Sequence, residues 1–294
     1  MKVKDPAHCV DHERELIKLI RQVAHSRSIY QVFNDFLEIS AISISNVLDF
    51  THRKEREERY LSVINSYGKE QRLLFPRIIA HLVGALEEKA RTVGPEDVLG
   101  SIFHTLELHT KCKGQFFTPT HIFDLVANIA CGDEMTTKIK EKGFVSLSEP
   151  AVGSGVMVMS YCKAMLKNGL NYCDQLVVNA VDIDLKCVYM TYLQLSLYGV
   201  PAVVIHGDSL TREEWSRWYT PIYLKDNWIW RVPCGITDRF CVEDEMLKCA
   251  LEPSYALLKK VFHNSTTLSE NQTEPVKPKK ETIMPKKAKP KNAA

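Results

Sequence analysis

The sequence predicts an α/β protein in which an incomplete doubly wound sheet is preceded by a helical region. Over roughly the first 93 residues, apolar positions recur every three to four residues, as on helices with one buried face. From Phe144 the pattern changes to short apolar runs alternating with helix-length stretches, which implies a parallel sheet with crossover helices. A glycine-bearing turn, Glu149-Pro-Ala-Val-Gly-Ser-Gly155, stands where the first of those strands passes into the first of those helices. These observations divide the chain into a helical region over residues 1–93, an α/β domain over 94–263 and a Lys/Pro-rich tail over 264–294.

Taken in order, Leu16, Ile17, Leu19, Ile20 and Val23 mark a first helix, and Ser28 opens a second that carries Val32, Phe33, Phe36 and Leu37. The mixed charges from His52 to Arg59 are the solvated face of a third. Leu73 to Leu86 form an amphipathic helix punctuated by Pro76, and Gly94-Pro95 closes the segment. A helix is expected from Pro95 to Leu108, with the proline at its start and acids in its first turn. Gly114 and Pro119 flank an aromatic pair in Gln115-Phe-Phe-Thr-Pro119, which makes that segment irregular. Ile122, Leu125, Val126 and Ile129 outline the next helix, which ends near Cys131-Gly132.

Strands are then expected at 144–147, 175–181 and 202–206, with helices over 153–166 and 185–198 between them. Beyond Leu210 the periodicity weakens. Residues 211–231 hold all four tryptophans, which either close the sheet by packing or stack exposed bases, with packing the stronger reading. One further helix is expected within 243–262, and the tail from Asn264 has the composition of disorder.

Composition narrows the function classes. No apolar run approaches the roughly 20 residues of a membrane span, and the acidic start lacks a signal-peptide layout, so the expected compartment is the cytoplasm. Nine scattered cysteines without CxxC spacing suggest neither a disulfide framework nor a metal site. The net charge of +2 conceals residues 275–294, where seven lysines stand against Glu281, so the remainder is net acidic and not a broadly basic nucleic-acid binder. The tail itself suits salt-sensitive attraction to nucleic acid.

Ligands of open α/β sheets sit beyond the carboxyl ends of the strands. Glu149 to Gly155 follows the first strand, and Gly153 and Gly155 allow a ligand to approach the backbone, beside helix N–H groups expected to be unpaired. Asp182 ends the second strand, where an acid can accept ribose hydroxyls, while Asp184 suits a helix cap. Asp208 ends the third, where a carboxylate can meet the exocyclic amine of an adenine. His206 receives no role. The spacing lacks the third glycine of a dinucleotide fingerprint, and Glu149 would repel a pyrophosphate. A ligand with a cationic amino-acid end and an adenosine end fits better, and S-adenosylmethionine has both.

Gln115-Phe-Phe-Thr-Pro119, Glu149-Pro-Ala-Val-Gly-Ser-Gly155, Val181-Asp-Ile-Asp184 and Gly207-Asp-Ser-Leu210 resemble, in that order, the cofactor motifs of N6-adenine DNA methyltransferases of the type I restriction-modification kind. The resemblance covers roughly residues 95–220. It implies a Rossmann-like S-adenosylmethionine-dependent methyltransferase domain, with DNA as partner. By this resemblance Phe117, Thr118 and Pro119 would close over the methionine end, Glu149 would face its ammonium, and Gly153 and Gly155 would line its carboxylate side. Asp182 would hold the ribose, Ile183 would pack on the adenine ring, and Asp208 would meet its amine.

One departure limits what the resemblance implies. The family's Asn-Pro-Pro-Tyr/Phe tetrapeptide, which holds a flipped adenine, does not occur in this sequence. No catalytic residue is therefore assigned. The reading is of a DNA adenine-N6 methyltransferase-like protein, with a catalytically silent cofactor- or DNA-binding partner protein as the alternative. Residues after 210 are too few for a target-recognition domain of ordinary size, which points to a protein partner, or the N-terminal helices, for sequence specificity.

Overall fold

Helix starts in the N-terminal region are fixed by side-chain caps. In the computed structural model, which describes residues 10–106 and 120–232, Asp11 accepts the Arg14 amide at 3.0 Å and opens α1 (His12–Val23). After a 3-10 turn at Ala24–Ser26, Ser28 accepts the Gln31 amide at 3.1 Å and opens α2 (Ile29–Ser45). Each cap satisfies an amide that the first helical turn leaves without a partner. Leu16, Leu19, Ile20, Val23, Val32, Phe33, Phe36 and Leu37, most of the positions named from three-to-four spacing, are buried.

The charged stretch forms α3 (Arg53–Asn65), followed by the single turn α4 (Lys69–Arg72). In α5 (Phe75–Thr92), Pro76 occupies the first turn, where its missing N–H breaks no helical hydrogen bond. The next helix starts later than the proline suggests. Asp97 caps α6 (Val98–Thr105) through the Gly100 amide at 2.8 Å, and Pro95 stays outside. Then come α7 (Thr120–Ala130) and α8 (Asp133–Lys142), the latter a short polar helix that the sequence reading passed over.

The α/β part follows as β1 (Val145–Glu149), α9 (Val156–Lys167), α10 (Tyr172–Gln175), β2 (Leu176–Asp182), α11 (Leu185–Tyr198), β3 (Ala202–Asp208) and β4 (Glu213–Tyr219). Two short helices, α12 (Pro221–Lys225) and α13 (Trp228–Arg231), follow. Strand order is β1-β2-β3-β4, with β1, β2 and β3 parallel and β4 antiparallel to β3. Among the described residues this is the first half of a doubly wound sheet, without the reversal of strand order that completes one. The strand β4 was not expected, because it alternates charged and aromatic residues and buries Arg217 against Glu214.

The apolar stripe of α7 reverses its expected role. Ile122, Leu125, Val126 and Ile129 are exposed, and the helix packs against α9 with Ala127 buried. The tryptophans divide: Trp218 and Trp228 are buried in the packing role, whereas Trp215 is half exposed. The expected helix within 243–262, the lysine tail and Gln115 to Pro119 lie outside the described residues. Among those described, no helix is long and apolar enough to cross a membrane.

Helical region and sheet share one core, with α11 between the sheet and α2. Arg56 on α3 joins them through polar contacts. Its guanidinium bonds Asp49 at 2.6 Å, the Ser45 hydroxyl and the Arg217 carbonyl of β4 at 2.6 Å, and lies 4.0 Å from the Trp218 ring centroid. Burial alone would raise the Asp49 pKa, but the His52 hydrogen bond and the Arg56 charge hold it below 3.8. The stability that Asp49 contributes is thus present above its ordinary pKa and is lost as pH falls through the lowered value.

Removing one member of a buried ion pair leaves the other uncompensated. Arg56→Ala is expected to cost about 3 kcal/mol, measured by urea unfolding at pH 7, and to reduce the acid-dependent loss of stability. A cost below about 1 kcal/mol, the worth of an exposed pair, contradicts the arrangement.

Candidate functional site

Glu149 is the last residue of β1, and the chain turns immediately beyond it. Gly153 and Gly155 hold φ of 59° and 97°, a region costly for residues with a side chain. A Cβ on Gly155 would also lie 3.0 Å from Met159 Cε and 3.2 Å from Thr191 Oγ1.

This turn is held by side chains from two helices. Thr191 of α11 donates its hydroxyl to the Gly153 carbonyl at 2.9 Å. One turn further along α11, the Gln194 amide donates to the Ser154 carbonyl and to Asp97 Oδ1, both at 2.9 Å. Its carbonyl accepts the Val98 and Leu99 amides of α6 at 2.8 and 3.0 Å. The Ser154 hydroxyl completes the set by donating to the other Asp97 oxygen. Burial pushes the Asp97 carboxyl above its ordinary value, against these donors, which favour its charged form.

The Gly153 amide donates to Asp182 Oδ2 at 2.8 Å, and the Gly155 amide to the Val152 carbonyl at 3.0 Å. Both amides are therefore engaged within the protein, and what the glycines offer a ligand is space.

Asp182 binds this turn to the next strand end. Its Oδ1 accepts the Asp184 amide at 2.9 Å while Oδ2 holds Gly153, and burial raises its pKa against these two hydrogen bonds. Asp184 serves as the helix cap read from the sequence, accepting the Lys186 amide at 3.0 Å and the Lys186 ammonium at 3.1 Å. Asp208 folds the turn after β3, its Oδ1 accepting the Leu210 and Thr211 amides at 2.8 and 3.3 Å. Glu149 Oε1 accepts the Ala151 amide at 3.3 Å, and Ile183 is exposed.

Glu149, Asp182 and Asp208 thus close three adjacent parallel strands at one edge, with Gly153, Gly155 and Ile183 in the connecting turns. Phe117, Thr118 and Pro119 lie outside the described residues. Asp97, Thr191 and Gln194 were missed. Asp97 read as an ordinary helix-start acid, and the only signal for the others was a pair of polar residues three apart on a helix otherwise fit for the core.

Chemically, the edge offers three carboxylates to cationic, hydroxyl and amine donors. Among the described residues no cluster of His, Cys, Asp and Glu could hold a metal ion. Cys162 and Cys187 are buried, and burial pushes both thiols up, as expected of core residues.

The sequence matches the N-6 DNA methylase family model over residues 96–227. Over that span the chain is N6-adenine DNA methyltransferase-like. The match takes in α6, with its cap Asp97, and runs through β4, so it contains every described part of the turn and its supports. No curated protein matches the chain. A solved structure from Listeria monocytogenes, described as a class I S-adenosylmethionine-dependent methyltransferase, is similar at 16% identity and a TM-score of 0.39. The alignment covers 68% of this chain and 54% of that one, so the chain spans about half the length of this structural relative.

Two outcomes follow from the site's electrostatics. Asp97→Asn keeps an acceptor for Gly100 and removes a charge disfavoured by burial, whereas Asp97→Ala leaves the Gly100 amide and the Ser154 and Gln194 donors without their acceptor. Thermal and urea unfolding should show the Asn variant within about 1 kcal/mol of wild type and the Ala variant about 2–3 kcal/mol less stable.

His206 stands in register with Asp182 of β2, and burial lowers its pKa from the ordinary 6.5. Its stabilising contribution is complete above 6.5 and is lost as pH falls toward the lowered value. The Trp215 ring lies 4.7 Å from the His206 ring, centroid to centroid, so quenching of Trp215 emission by the imidazolium should have its midpoint below 6.5 and vanish in His206→Gln.

Proposed function

We propose that the three strand ends bind S-adenosylmethionine and that the chain is a DNA adenine-N6 methyltransferase-like protein of the cytoplasm. The carrying observation is the Gly153 amide on Asp182, which locks the turn after β1 to the acid after β2. The donor set fits the cofactor. Glu149 is partly open at the end of β1 and suits an ammonium. Each Asp182 oxygen has one backbone donor and retains a lone pair for a ribose hydroxyl. Asp208 Oδ2 takes no part in the turn that Oδ1 holds and suits the adenine amine.

When bound, the cofactor supplies an electrophilic methyl group on a sulfonium. The protein's own contribution is positional. The network of Asp97, Gln194, Thr191 and Asp182 keeps the turn in one conformation before any ligand arrives, which reduces the ordering cost of binding. Transfer to an adenine amine would likewise depend on orienting its lone pair along the sulfur–methyl axis, with no covalent enzyme intermediate. DNA is the proposed substrate, with a protein partner or the N-terminal helices supplying sequence specificity. The family match over residues 96–227 supports this reading.

Calorimetry with S-adenosylmethionine, followed by transfer of labelled methyl to DNA, tests the proposal. Asp182→Ala and Asp208→Ala should each weaken cofactor binding at least about tenfold, as expected for hydrogen bonds to charged groups. Labelled DNA that disappears in Asp208→Ala establishes the methyltransferase. Tight cofactor binding without transfer to any DNA makes the chain the silent partner protein instead, and no cofactor binding by folded wild type removes both.

A further inference from the structure

The return strand β4 contains one residue more than β3 can pair. Val203 to His206 lie opposite Tyr219 to Ser216, and pairing resumes at Gly207–Glu214 and Asp208–Glu213, so Trp215 has no residue opposite it. A bulge of this kind bends the strand and re-aims the extra side chain. Here the indole meets the His206 imidazole at an interplanar angle of 67°. Gly207 permits the close approach that the bulge requires, because a Cβ there would lie 2.4 Å from the Glu213 carbonyl oxygen.

Trp215 is left 50% exposed, while Trp218 and Trp228 are buried at 4% and 0%. Its position is the carboxyl end of β3, the same end that carries Asp208. His206, on which it rests, is in register with Asp182 across β2 and β3, one residue before Ile183. Ile183 is itself 63% exposed. Two bare apolar surfaces therefore rise from neighbouring strand ends, beside the two acids assigned to ribose and amine. A purine nucleoside needs that combination: apolar or aromatic surfaces for its faces, and acceptors for its hydroxyls and amine.

We infer that Trp215, seated on His206, is the stacking platform for the adenine ring of an adenosyl ligand, with Ile183 as the opposing apolar surface. The inference rests on the nucleoside site proposed above and adds a contact from β4, outside the turns that form that site. The bulge sets the angle of the indole, and the pairing of His206 with Asp182 sets the platform beside the turn that carries the opposing surface.

Titration of the full chain with S-adenosylhomocysteine, followed by calorimetry and indole fluorescence, tests it. Wild type should bind with a change in indole emission that Trp215→Phe abolishes. Trp215→Ala should weaken binding about tenfold, the usual worth of one base–aromatic stack, whereas Trp215→Phe should stay within about threefold. Both variants should keep the wild-type unfolding temperature, since the side chain is half exposed.

Affinity of Trp215→Ala within twofold of wild type overturns the inference, as does an equal loss in Trp215→Phe, which would mark a structural role. So does indole quenching by a short single-stranded oligonucleotide that persists in excess S-adenosylhomocysteine. Folded wild type that binds no S-adenosylhomocysteine refutes the nucleoside site and the platform together, whereas binding indifferent to Trp215 refutes the platform alone.

Discussion

The structure depends on one buried side-chain amide. Gln194 is wholly enclosed, and it joins two amides of α6, the Asp97 carboxylate and the Ser154 carbonyl at 2.8 to 3.0 Å. A primary amide has two N–H donors and a carbonyl with two lone pairs, so these contacts use its whole capacity. Each bond adds only modestly to stability, but a buried partner left without one costs more than the bond contributes. The conformation of the glycine turn is therefore tied to the position of α6 and to the packing of α11, and none of the three can shift alone.

That coupling extends outward in both directions. Thr191 and Asp182 hold Gly153 by its carbonyl and its amide, which fixes the peptides on either side of it. Asp182 also accepts the Asp184 amide and so shapes the turn carrying Ile183. On the other side, α11 is covered by α2, and Arg56 joins α3 to β4. Among the described residues the sheet has three parallel strands and one antiparallel strand. The helical layer covers α11 on the side away from the sheet, where Lys186 lies 4.7 Å from the Phe103 ring centroid.

The legible parts of the sequence were those governed by local pattern. Three-to-four spacing located α1, α2 and α5, and apolar runs located β1, β2 and β3, because these elements bury one side chain after another in regular order. Asp184 was legible as a cap because capping acts over two or three residues. What escaped depended on distant partners. The strand β4 reads as charged and aromatic until Arg217 is seen beside Glu214, and the stripe on α7 predicted burial that this fold does not provide. Gln194 and Asp97 are 97 positions apart, and no local rule pairs them. Spacing brought the strand-end acids to notice, but it could not tell that Asp182 also braces Gly153.

This double duty sets what a substitution can reveal. Asp182→Ala removes the proposed ligand acceptor and a structural one together, so loss of binding in that variant alone does not locate the ribose. Asp208 is similar but milder, since its structural work is confined to Oδ1 and to the turn it begins. Ile183 and Trp215 carry no such load, being exposed and bonded to the protein through packing rather than through a network. In the proposed binding mode the side chains at this edge meet an ammonium, a hydroxyl, an amine or a ring face. In that mode a methyl acceptor approaches the sulfonium from another side, so binding and transfer are separately testable.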